Sequence, residues 1–316
     1  MKQPLIILTG PTAVGKTDLS IQLAKQINGA IISADSMQVY KYMDIGSAKI
    51  MPDEMQGIKH YLIDIRMPDE EFNAVCFQKA AKKSMEEIYA EGKIPIITGG
   101  TGFYIQSVLY DIDFSSQQTD GEYRRELEQL ANERGVQYLH DILLKIDPDS
   151  AAAIHANNQK RVIRALEFYR LTGQRISEHN KKERGKKSPY NFAYFVLNDK
   201  RERLYRRIEY RVDEMLKKGL VEEVKKLKNM GYTADMVSMQ GLGYKELFPY
   251  LDGECTLGES VSVIKRDTRH FAKRQLTWFR REKDVIWVDK DKFSYDNDKI
   301  LSYMNAILSE KGLIQP

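Results

Sequence analysis

The sequence predicts an α/β fold: a parallel sheet flanked by helices and interrupted by an inserted helical domain. Three observations carry this expectation. Short apolar runs alternate with amphipathic stretches over the first hundred residues. The strand signal then lapses between about Ser115 and Ser188, and strand-like runs return at 193–197 and 285–288. Strand, crossover helix, strand is the grammar of a parallel sheet covered on both faces.

Taken in chain order, residues 5–8 (LIIL) read as the first strand and 17–27 as the first helix. Strands follow at 30–33, 61–65 and 94–98, with a helix at 76–90 whose apolar and small residues recur at three- and four-residue spacing. In the middle stretch the helical patterns are 122–134 and 159–171. The run Lys181-Lys182-Glu183-Arg184-Gly185-Lys186-Lys187 is nearly all charge and reads as a loop. The expected division is a catalytic core of residues 1–114 and 190–316 around an insertion of residues 115–189.

Composition narrows the class. With 42% hydrophobic and 30% charged residues, the 316-residue chain has the balance of a folded, water-exposed protein. No apolar run approaches the roughly 18 residues of a membrane span, and the apolar run after Met1-Lys2-Gln3-Pro4 is too short for a secretory signal. Cys76 and Cys255 lie far apart, which supports neither a disulfide framework nor a cysteine-rich zinc site. A cytoplasmic protein without membrane partners is expected. The charge is unevenly spread. Residues 160–187 carry ten Lys and Arg against three acids, 200–218 eight against four, and 265–283 eight against two, while the rest of the chain is acidic in net. Three basic segments point to a polyanionic partner.

Directly after the first expected strand stands Gly10-Pro11-Thr12-Ala13-Val14-Gly15-Lys16-Thr17, the G-x4-G-K-T of a P-loop, followed by helix. The glycines let successive backbone N–H groups face one concavity, and the helix N-terminus adds partial positive charge. Lys16 supplies a full charge to phosphoryl oxygens, and the Thr17 hydroxyl is a candidate ligand for Mg²⁺. The fold expected is therefore P-loop NTPase-like. The loop does not disclose whose phosphates it holds. A small-molecule or nucleotide kinase would keep a metal-binding carboxylate at a strand end. The 94–98 strand instead runs into Gly99-Gly100-Thr101-Gly102, leaving Asp64, at the end of another expected strand, as the candidate. A diphosphate held as a leaving group is the other reading, and a non-catalytic RNA-binding P-loop protein a third. Asp35, just beyond the second strand, stands where ligands sit in open α/β sheets and is a candidate general base.

The chain resembles the tRNA dimethylallyltransferases. The resemblance rests on GPTAVGKT, Asp35-Ser36 with MDIGSAK (43–49), GGTGFY (99–104), RVIRALE (161–167), RIEYRVDEML (207–216), GLGYKE (241–246) and TRHFAKRQLTWFR (268–280). It implies transfer of a dimethylallyl group from dimethylallyl diphosphate to N6 of adenosine 37, beside the anticodon of tRNAs reading codons that begin with U, with Mg²⁺ as cofactor. By the same resemblance Asp35 is the general base, and Gly10 to Thr17, among them Pro11, Thr12, Ala13 and Val14, line the donor site. Arg211 serves the diphosphate. The implied contacts to the tRNA anticodon stem-loop are Asp35, Ser36, Met37, Gln38, Thr101, Arg124, Lys160, Arg161, Val162, Ile163, Arg164, Gln240, Gly241, Leu242, Gly243, Tyr244 and Lys245. Phe103 and Tyr104 are candidate walls of a channel for the extruded base. Eukaryotic members carry a C-terminal zinc finger; no such Cys/His set is readable here, so a bacterial form, acting as a monomer, is expected.

Overall fold

The computed structural model describes residues 2–114 and 121–315, so the expected start of the insertion, at 115, lies outside the described residues. Contacts divide the chain into two compact units, Met1–Leu109 with Pro189–Pro316, and Tyr110–Ser188.

The first unit is built on a six-stranded, wholly parallel sheet: β1 (Pro4–Thr9), β2 (Gly29–Ala34), β3 (His60–Tyr61), β4 (Ile94–Gly99), β5 (Asn191–Asn198) and β6 (Val285–Asp289), in the order β3-β2-β4-β1-β5-β6. The central strand β1 buries every residue from Leu5 to Thr9, the signature of a strand covered on both faces. Its helices are α1 (Lys16–Gln26), α2 (Ala74–Ala90) and α3 (Gly102–Leu109). The second unit contributes α4 (Gly121–Arg134), α5 (Val136–Ile146), α6 (Pro148–Ala153), α7 (Gln159–Thr172) and α8 (Ile176–Arg184). The first unit resumes with α9 (Arg201–Lys217), α10 (Leu220–Asn229), α11 (Phe248–Leu251), α12 (Leu257–Phe279) and α13 (Asn297–Glu310). The 23-residue α12 opens with a reciprocal capping box between Thr256 and Glu259.

The parallel order has one functional consequence. The residues that follow β1, β2, β4, β5 and β6 all emerge at the carboxyl edge of the sheet, which brings the P-loop, Asp35, Gly100 and Lys290 to one edge.

Two expectations need correction. Only His60–Tyr61 pairs as a strand; Leu62 and Asp64 have φ of 64° and 55°, so the predicted 61–65 run cannot stay extended. Asp64 therefore ends no strand. Its Oδ1 lies 2.5 Å from the buried Lys49 ammonium, which also meets Asp44 Oδ1 at 2.6 Å and donates to the Tyr40 carbonyl at 2.7 Å. The charged 181–187 run is not all loop either, because α8 extends through Arg184. Its Glu183 is buried, accepting from the Asp113 amide at 3.0 Å and pairing with Lys186 at 2.7 Å.

The helical unit has its own core of Leu127, Leu139, Leu143, Val162, Ile163 and Leu166. A polar knot ties it. Buried Asp147 accepts from the amide and hydroxyl of Ser150 and from those of Ser177, at 2.7 to 3.1 Å. Burial alone would raise its pKa; the hydrogen bonds from Ser177 and Ser150 outweigh that and hold it below the usual value.

Candidate active site

The P-loop follows β1 as a tight cradle. Gly10 has φ +148° and passes β5 so closely that a Cβ would lie 2.6 Å from the Leu197 carbonyl oxygen, so no larger residue fits. Ala13 and Gly15 both sit in the left-handed region, at 64° and 95°, the kind of conformation that turns neighbouring amides into an anion nest. Lys16 opens α1 and folds back over the loop, donating to the Gly10 and Pro11 carbonyls at 3.0 Å each. Burial first, and the Arg211 guanidinium second, lower its pKa to about 8, with Asp35 opposing. Arg211 projects from α9 into the same field. Burial lowers its pKa, Asp35 raises it and Arg207 lowers it again. A cation pair and one carboxylate thus converge on the cradle. Thr17 is exposed at the mouth, and its hydroxyl makes no hydrogen bond among the described residues.

Three side chains from beyond residue 200 hold this loop from outside. Gln275 of α12 accepts from the Thr12 amide at 2.8 Å and donates to the Gly100 carbonyl at 3.0 Å, linking the P-loop to the end of β4. Arg207, one helical turn before Arg211, donates from Nε to the Ala13 carbonyl at 2.7 Å. Lys290, just past β6 and buried, donates to the Val14 carbonyl at 3.2 Å.

Asp35 stands at the end of β2, half-buried. Its Oδ1 accepts from the Met37 amide at 2.9 Å in an Asx turn. The other oxygen has no hydrogen-bond partner among the described residues. The Ser36 amide donates to Thr101 Oγ1 at 3.2 Å, and the Thr101 amide to the Ala34 carbonyl at 3.1 Å, so the ends of β2 and β4 are knitted together. Gln38 is committed inward, accepting from Ser33 Oγ at 2.8 Å and donating to the Ala48 carbonyl at 3.2 Å. Tyr104 is buried, stacked on Phe77 at 4.5 Å between centroids; burial raises its pKa, and Asp35 is among the charges it senses.

The 43–49 and 240–246 segments lock onto one another through Glu223 of α10. Its carboxylate accepts from the amides of Asp44, Ile45 and Gly46 at 2.8 to 3.0 Å and from the Tyr244 hydroxyl at 2.8 Å. A Cβ on Gly46 would fall 2.5 Å from the Tyr244 ring, and one on Gly241 2.7 Å from Met37 Sδ. Tyr244 is fully buried, so its side chain cannot reach an RNA; it packs this junction. Gln240 is exposed, Leu242 and Lys245 are half-buried, and Gly241 and Gly243 are buried.

On α7 the helical period sorts the expected tRNA contacts. Lys160 and Arg161 are exposed and Arg164 is half-buried, whereas the side chains of Val162 and Ile163 fill the core and are removed from any surface role. Arg124 of α4 grips the buried carboxylate of Glu167 with two hydrogen bonds, 2.9 and 2.6 Å. Burial lowers the pKa of Arg164, with Glu167 opposing and Arg124 adding to the shift.

Comparison with known proteins decides the family. The sequence profile described as IPP transferase matches residues 38–282. A curated tRNA dimethylallyltransferase of Lachnoclostridium phytofermentans is 62% identical over 313 residues, covering 99% of this chain and 100% of the relative. The chain belongs to the IPP transferase family. Among solved structures, the full-length tRNA isopentenylpyrophosphate transferase of Bacillus halodurans is similar at 47% identity and TM-score 0.74, covering 98% of both chains. A eukaryotic dimethylallyltransferase captured acting on tRNA is similar at 31% identity and TM-score 0.84, over 98% of this chain and 80% of that one.

Within this IPP transferase the sequence reading missed Gln275, Arg207, Lys290 and Glu223 as site-shaping groups. Gln275 and Arg207 fall inside segments already singled out, so proximity to a motif was a usable signal. Lys290 and Glu223 carried none.

Proposed function

We propose that this chain transfers the dimethylallyl group of dimethylallyl diphosphate to N6 of adenosine 37 in tRNAs that read codons beginning with U, releasing diphosphate. The observation that carries the reading is the convergence of the P-loop nest, Lys16 and Arg211 with the carboxylate of Asp35 at one sheet edge. A full-length relative named tRNA dimethylallyltransferase supports it.

The loop amides, Lys16 and Arg211 hold the diphosphate oxygens, and their charge is felt most as the carbon–oxygen bond breaks and negative charge builds on the leaving group. Arg211 suits this role because a guanidinium can grip two oxygens at once. The N6 nitrogen bonds to the allylic carbon, diphosphate leaves with the electron pair, and Asp35 takes the proton shed by N6. The adenine must first leave its stack. Asp35, Ser36, Met37 and Thr101 surround it where it meets the donor. Arg124, Lys160, Arg161, Arg164, Gln240, Leu242 and Lys245 contact the rest of the RNA.

Mg²⁺ fits the cradle's chemistry. The exposed Thr17 hydroxyl is a hard oxygen donor, and no cluster of three or more His, Cys, Asp or Glu able to hold a metal exists among the described residues, so substrate oxygens and water would complete the shell. The ion would supply charge neutralisation on the diphosphate. No helix among the described residues is long and apolar enough to cross a membrane, and we place the enzyme in the cytoplasm with its tRNA.

A kinase would need a metal carboxylate here, but β4 ends in glycine and Asp64 is spent on Lys49. Incubation with labelled dimethylallyl diphosphate and unmodified tRNA in the absence of ATP tests the proposal. Label should enter the RNA with one diphosphate released per transfer; a requirement for ATP hydrolysis would refute it.

A further inference from the structure

The cradle is flanked by two cations that lack a counter-charge. Lys290 is 8% exposed, and neither it nor Arg207 has a carboxylate within 4.0 Å among the described residues. Burial is the largest influence on Lys290 and lowers its pKa; Arg207 next disfavours its charge, Asp199 favours it, Arg203 disfavours it and Asp18 favours it. Arg203 is itself engaged with Asp199, at 3.4 Å. A buried ammonium beside a guanidinium, with no acid paired to either, is costly for the empty protein. Both meet at one point: a Cβ on Gly15 would lie 3.1 Å from Lys290 Nζ and 3.5 Å from an Arg207 terminal nitrogen.

Their hydrogen bonds explain what that cost supports. In a trans peptide the carbonyl of one residue and the N–H of the next point in opposite directions. Arg207 holds the Ala13 carbonyl and Lys290 the Val14 carbonyl. The Val14 and Gly15 amides are thereby turned away from the two cations. The Val14 amide closes the turn on the Pro11 carbonyl at 3.3 Å, whereas the Gly15 amide has no protein acceptor among the described residues. Ala13 is also a non-glycine residue at φ 64°, a conformation that persists only where the surroundings enforce it.

We propose that Arg207 and Lys290 are positioning residues of the diphosphate cradle. They pin the left-handed Ala13–Gly15 turn from outside, and the bound diphosphate supplies their missing counter-charge. This rests on the proposed function and assigns two further residues to its donor site. They touch the loop rather than the reacting atoms, so their effect falls on donor affinity, while the groups assigned to the RNA are untouched.

The test compares Lys290→Met, Lys290→Arg and Arg207→Lys with the wild-type chain. Calorimetry measures binding of inorganic diphosphate and of dimethylallyl diphosphate, filter binding measures tRNA, and thermal melting is run with and without diphosphate. Loss of a charge-assisted contact predicts donor and diphosphate affinity weakened about tenfold or more in Lys290→Met, with tRNA affinity within about twofold of wild type. Diphosphate should raise the melting temperature less than in wild type, and Lys290→Arg should recover most of the affinity. Wild-type diphosphate affinity in both Lys290→Met and Arg207→Lys would overturn the proposal. So would a parallel loss of donor affinity, tRNA affinity and ligand-free stability, the pattern of a merely structural role. Failure of the functional reading looks different: wild-type protein would then bind diphosphate, with the variants weakened, yet transfer no label to tRNA.

Discussion

Helices α7 and α9 are both basic, and a count of charges treats them alike, yet their cations turn in different directions. On α9, Arg207 and Arg211 are four residues apart, share one face and turn inward onto the P-loop. On α7, Lys160 and Arg161 turn outward, while Val162, Ile163 and Leu166 fill the helical unit's core. A run of cations therefore does not say which phosphate it serves. Inward cations suit a small diphosphate gripped in fixed geometry; outward cations suit the extended backbone of a nucleic acid, where contacts are many and individually weak.

The contrast breaks first at Asp35. Asp35→Ala should lower single-turnover transfer by about 100-fold or more, with the donor dissociation constant little changed. Equal loss of donor binding with an intact transfer rate would remove it as the base. Arg211→Lys comes next, because an ammonium cannot reproduce the guanidinium's two-point grip. A fall of about tenfold or more in kcat/KM for the donor is expected, with tRNA KM unchanged; an effect on tRNA alone would erase the distinction between the two helices. In the helical unit, Leu166→Ala should cost about 2–5 kcal/mol of stability, as other buried leucine truncations do, read by chemical denaturation. Fixed stability would mean that α7 is not the core element described.

Smaller effects sharpen the comparison. Burial, then the Arg211 guanidinium, lower the Lys16 pKa to about 8, which makes it cationic below that pH and neutral above it. Donor affinity should accordingly fall as pH rises through about 8, and Lys16→Arg, which stays charged, should flatten that dependence. Last, Lys160→Ala and Arg161→Ala should each weaken tRNA binding a few-fold and reduce the slope of log affinity against log salt by about one. An unchanged slope would take that face of α7 out of the RNA contact surface.

Much of the core was legible in the sequence because its signals are local. Buried parallel strands read as continuous apolar runs, and the P-loop announces itself by glycine spacing between strand and helix. The position of Asp35 at the carboxyl edge followed from its place after β2. The strand expected at 61–65 failed because β propensity cannot register the left-handed turns at Leu62 and Asp64. The charged run at 181–187 concealed a helix end whose buried Glu183 has its partners inside the unit. The groups that hold the P-loop were the least legible. Gln275 reaches Thr12 across 263 residues and Lys290 reaches Val14 across 276, and no periodicity encodes such a meeting.

The central claim is that the Gly10–Thr17 nest clasps the diphosphate of a five-carbon donor and no phosphoryl group is transferred. A crystal soaked with an unreactive thio-analogue of dimethylallyl diphosphate tests it most directly. The account predicts the diphosphate within hydrogen-bonding distance of the loop amides, Lys16 and Arg211, with the allylic carbon facing Asp35. An empty nest, or one that accepts only a nucleoside triphosphate, would contradict it.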